Sequence, residues 1–548
     1  MQKAGGARDK QAAASGSRLL FSGGNCHPFP LVTQARDIEL DSLRHALLKR
    51  FCTLVSAFLV RKELMMKAIT RREFGKGVAA AAAATSAGIS LPMFAFGQPK
   101  PASLSYPKGF LWGCATAAYQ IEGGAQDDGR YPSIWDTFSH TTGKTNRGET
   151  GDVSSDSYHL YKEDVKLLKN IGASVYRMSI SWSRVFPNGT GQPNPKGLDY
   201  YNRVVDELLA NDIAPYITMF HWDLPQALPG GWQSRDTAKA FADYAGFMAK
   251  HLGDRVHHFM TTNEFICFTD LGYKIGQFAP GLKLPDAQVN QVRHHGILAH
   301  GLGVQAIRAN APSGTQVGLA ENAVVVCPVL ETAAHIEAAQ KATRDVNAPF
   351  LTTVMEGKYP DSYLAREKGN APKVEEGDMK AIGSPVDFLG VNIYVPLYAR
   401  ADGSAQGYAM EPMPSSFPHM ASPWLQLGPE CIYWGVRNVC DIWGSKVPAV
   451  YITENGTSSD DVLTSAGRVE DLDRVMYLRN HLTHLHRAVI EEYPVKGYFL
   501  WSLLDNFEWA DGYSKRFGIH YVDFKTLKRT PKLSAEWYRE VIAKNAVE

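Results

Sequence analysis

The 548 residues are 45% hydrophobic and 21% charged, enough apolar material for a large core and too balanced a mixture for a disordered chain. A net charge of +1 gives no electrostatic case for nucleic acid or an anionic membrane surface, so the expected partner is a neutral small molecule. Seven cysteines, at 26, 52, 114, 267, 327, 431 and 440, lack the close pairs that zinc or redox sites use, and they read as free core thiols.

Residues 1–64 carry no clear pattern and are expected to be an extension or a start-site artefact, with translation beginning at Met65 or Met66. The run Thr70-Arg71-Arg72-Glu73-Phe74-Gly75-Lys76, followed by an alanine-dominated stretch at 78–87, resembles a twin-arginine export signal spanning 65–97. Residues 98–105 then read as a linker and 106–546 as one folded unit, resident in the periplasm or secreted. The apolar run 51–60 is too short to span a bilayer, so no membrane segment is expected after cleavage.

From Gly109 onward, short apolar or β-branched runs alternate with amphipathic segments. Eight strands are predicted near 110–117, 175–182, 214–221, 256–264, 316–320, 388–394, 449–454 and 497–502. Helical spacing of apolar residues predicts helices at 158–171 and 200–211, among others. Stretches rich in glycine and proline, 186–197 and 401–423, read as loops. No strict repeat is present, which disfavours a solenoid. Between a doubly wound sheet and a closed barrel, polar and aromatic residues at nearly every strand end favour a single (β/α)8 TIM barrel with long βα loops around its mouth.

Two of those strand ends are glutamates: Glu264 after Thr261-Thr262-Asn263, and Glu454 in Thr453-Glu454-Asn455-Gly456. A carboxylate at the C-terminal tip of a barrel strand faces the mouth, and a pair of them suits glycoside hydrolysis with retention, one as nucleophile and one as acid/base. Arg177 is a charge on an otherwise apolar strand, costly unless paired with an anion, and Glu454 is its natural partner. That pairing is expected to keep Glu454 ionised, while the negative charge raises the pKa of Glu264 and keeps it protonated. A sugar further needs planar hydrogen-bonding groups and an aromatic floor, for which Gln120, His221, Asn263, Trp501, Glu508 and Trp509 are the candidates.

Taken together, the stretches 110–123, 176–187, 220–225, 261–281, 387–394, 451–456 and 501–523 resemble glycoside hydrolase family 1, a match running from about 106 to 542. The resemblance implies a retaining, exo-acting β-glucosidase that needs no cofactor or metal and acts on a small β-glucoside or oligosaccharide. By motif, Glu454 matches the nucleophile, Glu264 the acid/base, and Arg177 and Tyr394 the groups that hold the nucleophile. Gln120, His221, Asn263, Glu508 and Trp509 match the glycone pocket, with Trp501 as its platform. The intact Glu264 disfavours a thioglucosidase, and Glu508 disfavours a phosphorylated sugar by charge repulsion. The family usually has proline and often tryptophan after the acid/base; here they are Phe265 and Ile266. These two, with Trp424, are the candidates for the leaving-group site. A transglycosylase using the same intermediate and a non-catalytic sugar-binding relative are the competing readings.

Overall fold

The computed structural model describes residues 103–548. The expected extension and export signal therefore lie outside the described residues. Eight parallel strands close into a barrel: β1 Leu111–Ala115, β2 Val175–Ser179, β3 Ala214–Phe220, β4 His258–Asn263, β5 Gln316–Glu321, β6 Phe388–Asn392, β7 Val450–Asn455 and β8 Val495–Trp501. They pair in chain order, and β8 returns to β1 to close the ring. Buried on both faces, these strands read as nearly continuous apolar runs, which is why the sequence locates all eight.

Each strand is followed by at least one helix on the outside: α1 Ser157–Ile171, α2 Pro195–Ala210, α3 Arg235–Leu252, α4 Asp286–Asn310, α5 Leu351–Glu356, α6 Cys431–Trp443, α7 Leu472–Ile490 and α8 Leu533–Lys544. In α1, Tyr158, Tyr161, Val165 and Leu168 recur every three or four residues and are buried, so one face seats on the barrel. Gly172, at φ 79°, ends that helix in the left-handed region and turns the chain into β2. Helix α2 starts with an Asn194 cap and proline in its first turn.

One expectation needs correcting. The region read as loop at 401–423 supplies Tyr408–Glu411, which forms a three-stranded sheet with Pro396–Ala401 and Val325–Pro328. A small core of Val326, Ala338, Ala339, Ala342, Ala399 and Tyr408 seats the helix Ala333–Val346 on it. The Tyr408–Glu411 strand is four residues long and mixed in polarity, so its pairing with Pro396–Ala401, itself paired some 70 residues back with Val325–Pro328, decides its conformation more than local pattern does. Five cysteines, 114, 267, 327, 431 and 440, are free thiols, the first four buried.

Candidate active site

The C-terminal ends of the strands open into a cavity of about 450 Å3. Its wall includes Glu264 and Glu454, which are 5% and 4% exposed, so both carboxyls are largely withdrawn from water. The strands that carry them are irregular just before the functional residue. The β4–β5 ladder shifts register between Met260 and Asn263, and β7 shifts against both neighbours after Ile452. Such bulges re-aim a side chain that regular alternation would place elsewhere. Beyond Glu454, a Cβ built on Gly456 would overlap the Trp501 carbonyl, so the Glu-Asn-Gly exit needs glycine for close backbone passage.

Arg177 on β2 is fully buried and directs its guanidinium across the barrel. Nη1 donates to Glu454 Oε1 at 2.5 Å and to the Thr453 carbonyl, Nη2 donates to Asn263 Oδ1, and Nε donates to Thr218. Tyr394, just past β6, donates its hydroxyl to the other oxygen, Glu454 Oε2, at 2.8 Å. Asn392 then links the two carboxyls: its Nδ2 donates to Asn263 Oδ1 at 3.0 Å and to Glu264 Oε1 at 2.8 Å. A continuous run of hydrogen bonds thus passes from Glu454 through Arg177, Asn263 and Asn392 to Glu264.

The ionisation states are split by this arrangement. Burial first, then the negative charge of Glu454, pushes the Glu264 carboxyl up to about 7, against weaker downward pulls from Asn392, Cys267 and Arg177. For Glu454 burial is the largest influence and raises the pKa, while the expected partner Arg177, with Tyr394, opposes that rise. Glu454 has the closer cation, so it ionises first and Glu264 keeps the proton.

Around the carboxyls stand the groups for a sugar. His221, directly after β3, is held neutral by burial and by the Arg177 charge. Asn263 Nδ2 donates to its Nε2 at 3.1 Å, which places the proton on Nδ1, an atom without a partner among the described residues. Gln120 donates Nε2 to Asn506, Phe507 and Glu508 Oε2, leaving its Oε1 unpartnered among the described residues. The short helix Ala118–Ile121 that carries Gln120 is tied down by its next residue, Glu122, which accepts from Arg184 and Tyr201. Glu508 is pushed up to about 8 by burial and by Asp511 and Glu454, so near neutrality it can donate as well as accept. Trp501 lies near-parallel to His221 at 5.9 Å, and Trp509 packs against Trp222 and Trp135.

Of the residues expected from sequence, His221, Glu264, Tyr394, Trp424, Glu454, Trp501, Glu508 and Trp509 lie on the cavity wall. Gln120, Asn263 and Arg177 stand directly behind it through the bonds just given. Phe265 and Ile266 do not belong to the wall, which corrects their expected place at the leaving-group site. The Phe265 ring is fully buried against Phe268, His300 and Phe350, and Ile266 packs on the core, because the chain turns into a helix at this point and carries both side chains outward. Trp424 does flank the mouth, edge-on to Tyr394 at 5.7 Å and stacked on Phe517.

Sequence reasoning missed three residues. Asn392 sits two places before Tyr394, and a polar residue on a buried strand was its signal. Cys267 donates Sγ to Glu264 Oε2 at 3.1 Å, a contact that its spacing of three after Glu264 at a helix start makes available. Trp222 donates its indole N–H to the Asn263 carbonyl. Among the described residues no group of three or more His, Cys, Asp or Glu is placed to hold a metal ion.

Two buried carboxyls, Glu264 and Glu454, thus face one cavity, the second held by Arg177 and Tyr394. The family model Glycosyl hydrolase family 1 matches residues 102–547. The chain belongs to glycosyl hydrolase family 1. Among known proteins, the 1,4-beta-D-glucan glucohydrolase of Thermotoga neapolitana is 44% identical over 446 residues, 81% of this chain and 99% of that protein. The bifunctional beta-D-glucosidase/beta-D-fucosidase of Bifidobacterium breve is 42% identical over 465 residues, 80% of this chain and 99% of its own length. The solved family 1 β-glucosidase of Thermotoga maritima superposes with a TM-score of 0.75 at 40% identity, covering 82% of this chain and all of that one.

Proposed function

We propose that this family 1 chain is a retaining, exo-acting β-glucosidase that releases terminal β-D-glucosyl residues by double displacement. The observation that carries the mechanism is the Arg177–Glu454–Tyr394 grouping joined through Asn263 and Asn392 to Glu264, whose carboxyl is pushed up to about 7. Ionised Glu454 attacks the anomeric carbon while Glu264 gives its proton to the departing oxygen. Once Glu454 is glycosylated its charge is gone, the main electrostatic cause of the high Glu264 pKa disappears, and Glu264 can take the proton of the attacking water. His221 Nδ1–H and Gln120 Oε1 supply a donor and an acceptor for sugar hydroxyls, and Trp501 supplies the apolar platform. Glu508 suits the hydroxyls of glucose and tolerates the fucose or galactose epimers.

The rest of the cavity wall is mostly apolar, with Leu271, Phe278, Val324, Val395, Trp424 and Phe517. A second sugar there would find few partners beyond Gln277, Asn322 and Asp511, whereas an aryl or alkyl group would bury apolar area. The preferred substrate is therefore a β-glucoside with an apolar leaving group. Initial rates of Glu454→Gly on p-nitrophenyl β-glucoside with added azide test the core of the reading. Azide-rescued turnover giving the inverted glycosyl azide supports Glu454 as nucleophile, and an unrescued variant beside an active parent refutes that role.

Export through the twin-arginine route is part of the same proposal, supported by Arg71-Arg72 and the weakly apolar run after them. Fusing residues 65–100 to a reporter and blocking the route tests it, since continued export would remove the argument.

A further inference from the structure

The chain leaves β4 through Glu264, whose φ of 48° is in the left-handed region that residues other than glycine occupy only when their surroundings impose it. A helix begins at the next residue, so the Phe265 N–H belongs to the first turn, where backbone donors have no partner inside the helix. Proline, which the family usually has at this position, removes that N–H altogether and pre-sets the backbone for a helix start. Phenylalanine does neither, and a fully buried N–H left unpaired is costly.

The structure meets that need with Glu321, the last residue of β5. Its side chain is buried, at 1% exposed, and Oε2 accepts the Phe265 N–H at 3.0 Å. Among the described residues no lysine or arginine pairs with it, which is unusual for a buried carboxyl. Burial first, then any charge on Glu264, pushes its pKa well above the ordinary range, which favours the neutral acid. The bond is one of four that pin the strand exit. The Glu264 N–H donates to the Ala320 carbonyl, Cys267 N–H to the Glu264 carbonyl, and the Thr269 hydroxyl to the Phe265 carbonyl. Glu321 is the side chain among these partners that reaches from the neighbouring barrel strand.

We propose that Glu321 is a positioning residue for the acid/base: by accepting the Phe265 N–H it holds Glu264 in its left-handed conformation and aims the Glu264 carboxyl at the departing oxygen. Glu321 thus replaces, with one hydrogen bond from β5, the rigidity that proline would supply within the chain. The assignment rests on Glu264 being the acid/base of a β-glucosidase.

Its signature is selective. A misplaced acid harms substrates whose leaving group must be protonated and spares those whose leaving group departs as an anion, whereas general damage to the site harms both. The test uses the full chain and its variants E321M and E321Q, with octyl β-glucoside and 2,4-dinitrophenyl β-glucoside as substrates and thermal melts to report folding. Methionine keeps the volume without the acceptor, so kcat/KM of E321M on the octyl glucoside should fall about tenfold or more while the dinitrophenyl glucoside changes less than about twofold. Glutamine keeps a neutral acceptor, so E321Q should stay within about threefold of the parent on both. An unchanged ratio of the two activities in folded E321M, or a selective loss on the octyl glucoside in E321Q, overturns the assignment. E321Q alone decides if E321M does not fold. A parent inactive on both substrates sinks the glucosidase reading, and this assignment with it.

Discussion

Replacing Glu454 by glutamine removes one negative charge from the site and should lower the pKa of Glu264. In retaining enzymes the two carboxyls stand roughly 5 Å apart. At that distance and an effective dielectric of about 20, one unit charge contributes about 3 kcal/mol, or about two pH units, to its neighbour's titration. That figure is an upper bound here, because Arg177 sits on Glu454 Oε1 at 2.5 Å and Tyr394 on Oε2 at 2.8 Å, so the charge felt at Glu264 is partly neutralised. Burial, the larger cause of the rise to about 7, is untouched by the substitution. The expected outcome is a Glu264 pKa lower by about one unit in Glu454→Gln. Carbon-13 NMR of chain labelled at the glutamate carboxyl carbon measures it, with the resonance assigned by its loss in Glu264→Gln. The same fall should follow when Glu454 of the parent is trapped as a fluoroglucosyl ester. A Glu264 pKa that stays put or rises in both forms would refute the electrostatic division of roles.

Because Glu264 must be protonated to act as the acid, kcat/KM on alkyl β-glucosides should decline about tenfold per pH unit above about 7, and a pH–rate profile without that limb would contradict the assignment. Arg177→Met should leave Glu454 buried without its cation, moving the acid limb of the same profile upward and lowering Tm by about 5–10 °C, as expected when one partner of a buried ion pair is removed. An unmoved acid limb would mean that Arg177 does not govern the ionisation of Glu454. For the apolar mouth, octyl β-glucoside should exceed methyl β-glucoside in kcat/KM by about thirtyfold, as partial burial of seven methylenes implies. Trp424→Ala should narrow that gap, and equal rates for the two glucosides would remove the case for an apolar leaving-group site.

Much of the fold is legible in the chain because each barrel strand is buried on both faces and each outer helix on one. Apolar runs and helical spacing therefore record their own surroundings, as at Val175–Ser179 and Ser157–Ile171. The Tyr408–Glu411 strand left no such record, since it exists by pairing with Pro396–Ala401. In the site, the two carboxyls, Arg177, Tyr394 and the sugar-facing residues were readable because strand ends and motif order single them out.

What the sequence by itself determined is the kind of molecule: a barrel with two strand-end glutamates and a buried arginine that needs an anion. The tertiary structure decided which atoms meet. The Asn392 bridge between Asn263 and Glu264, the outward turn of Phe265 and Ile266, and the Glu321 bond to the Phe265 N–H all join residues 50 or more places apart or depend on the left-handed turn at Glu264. Local spacing does not encode such contacts, because they arise only when neighbouring strands are brought into register. The balance at Glu454 is of the same kind: only the packed barrel determines whether burial or the guanidinium has the larger effect on its proton.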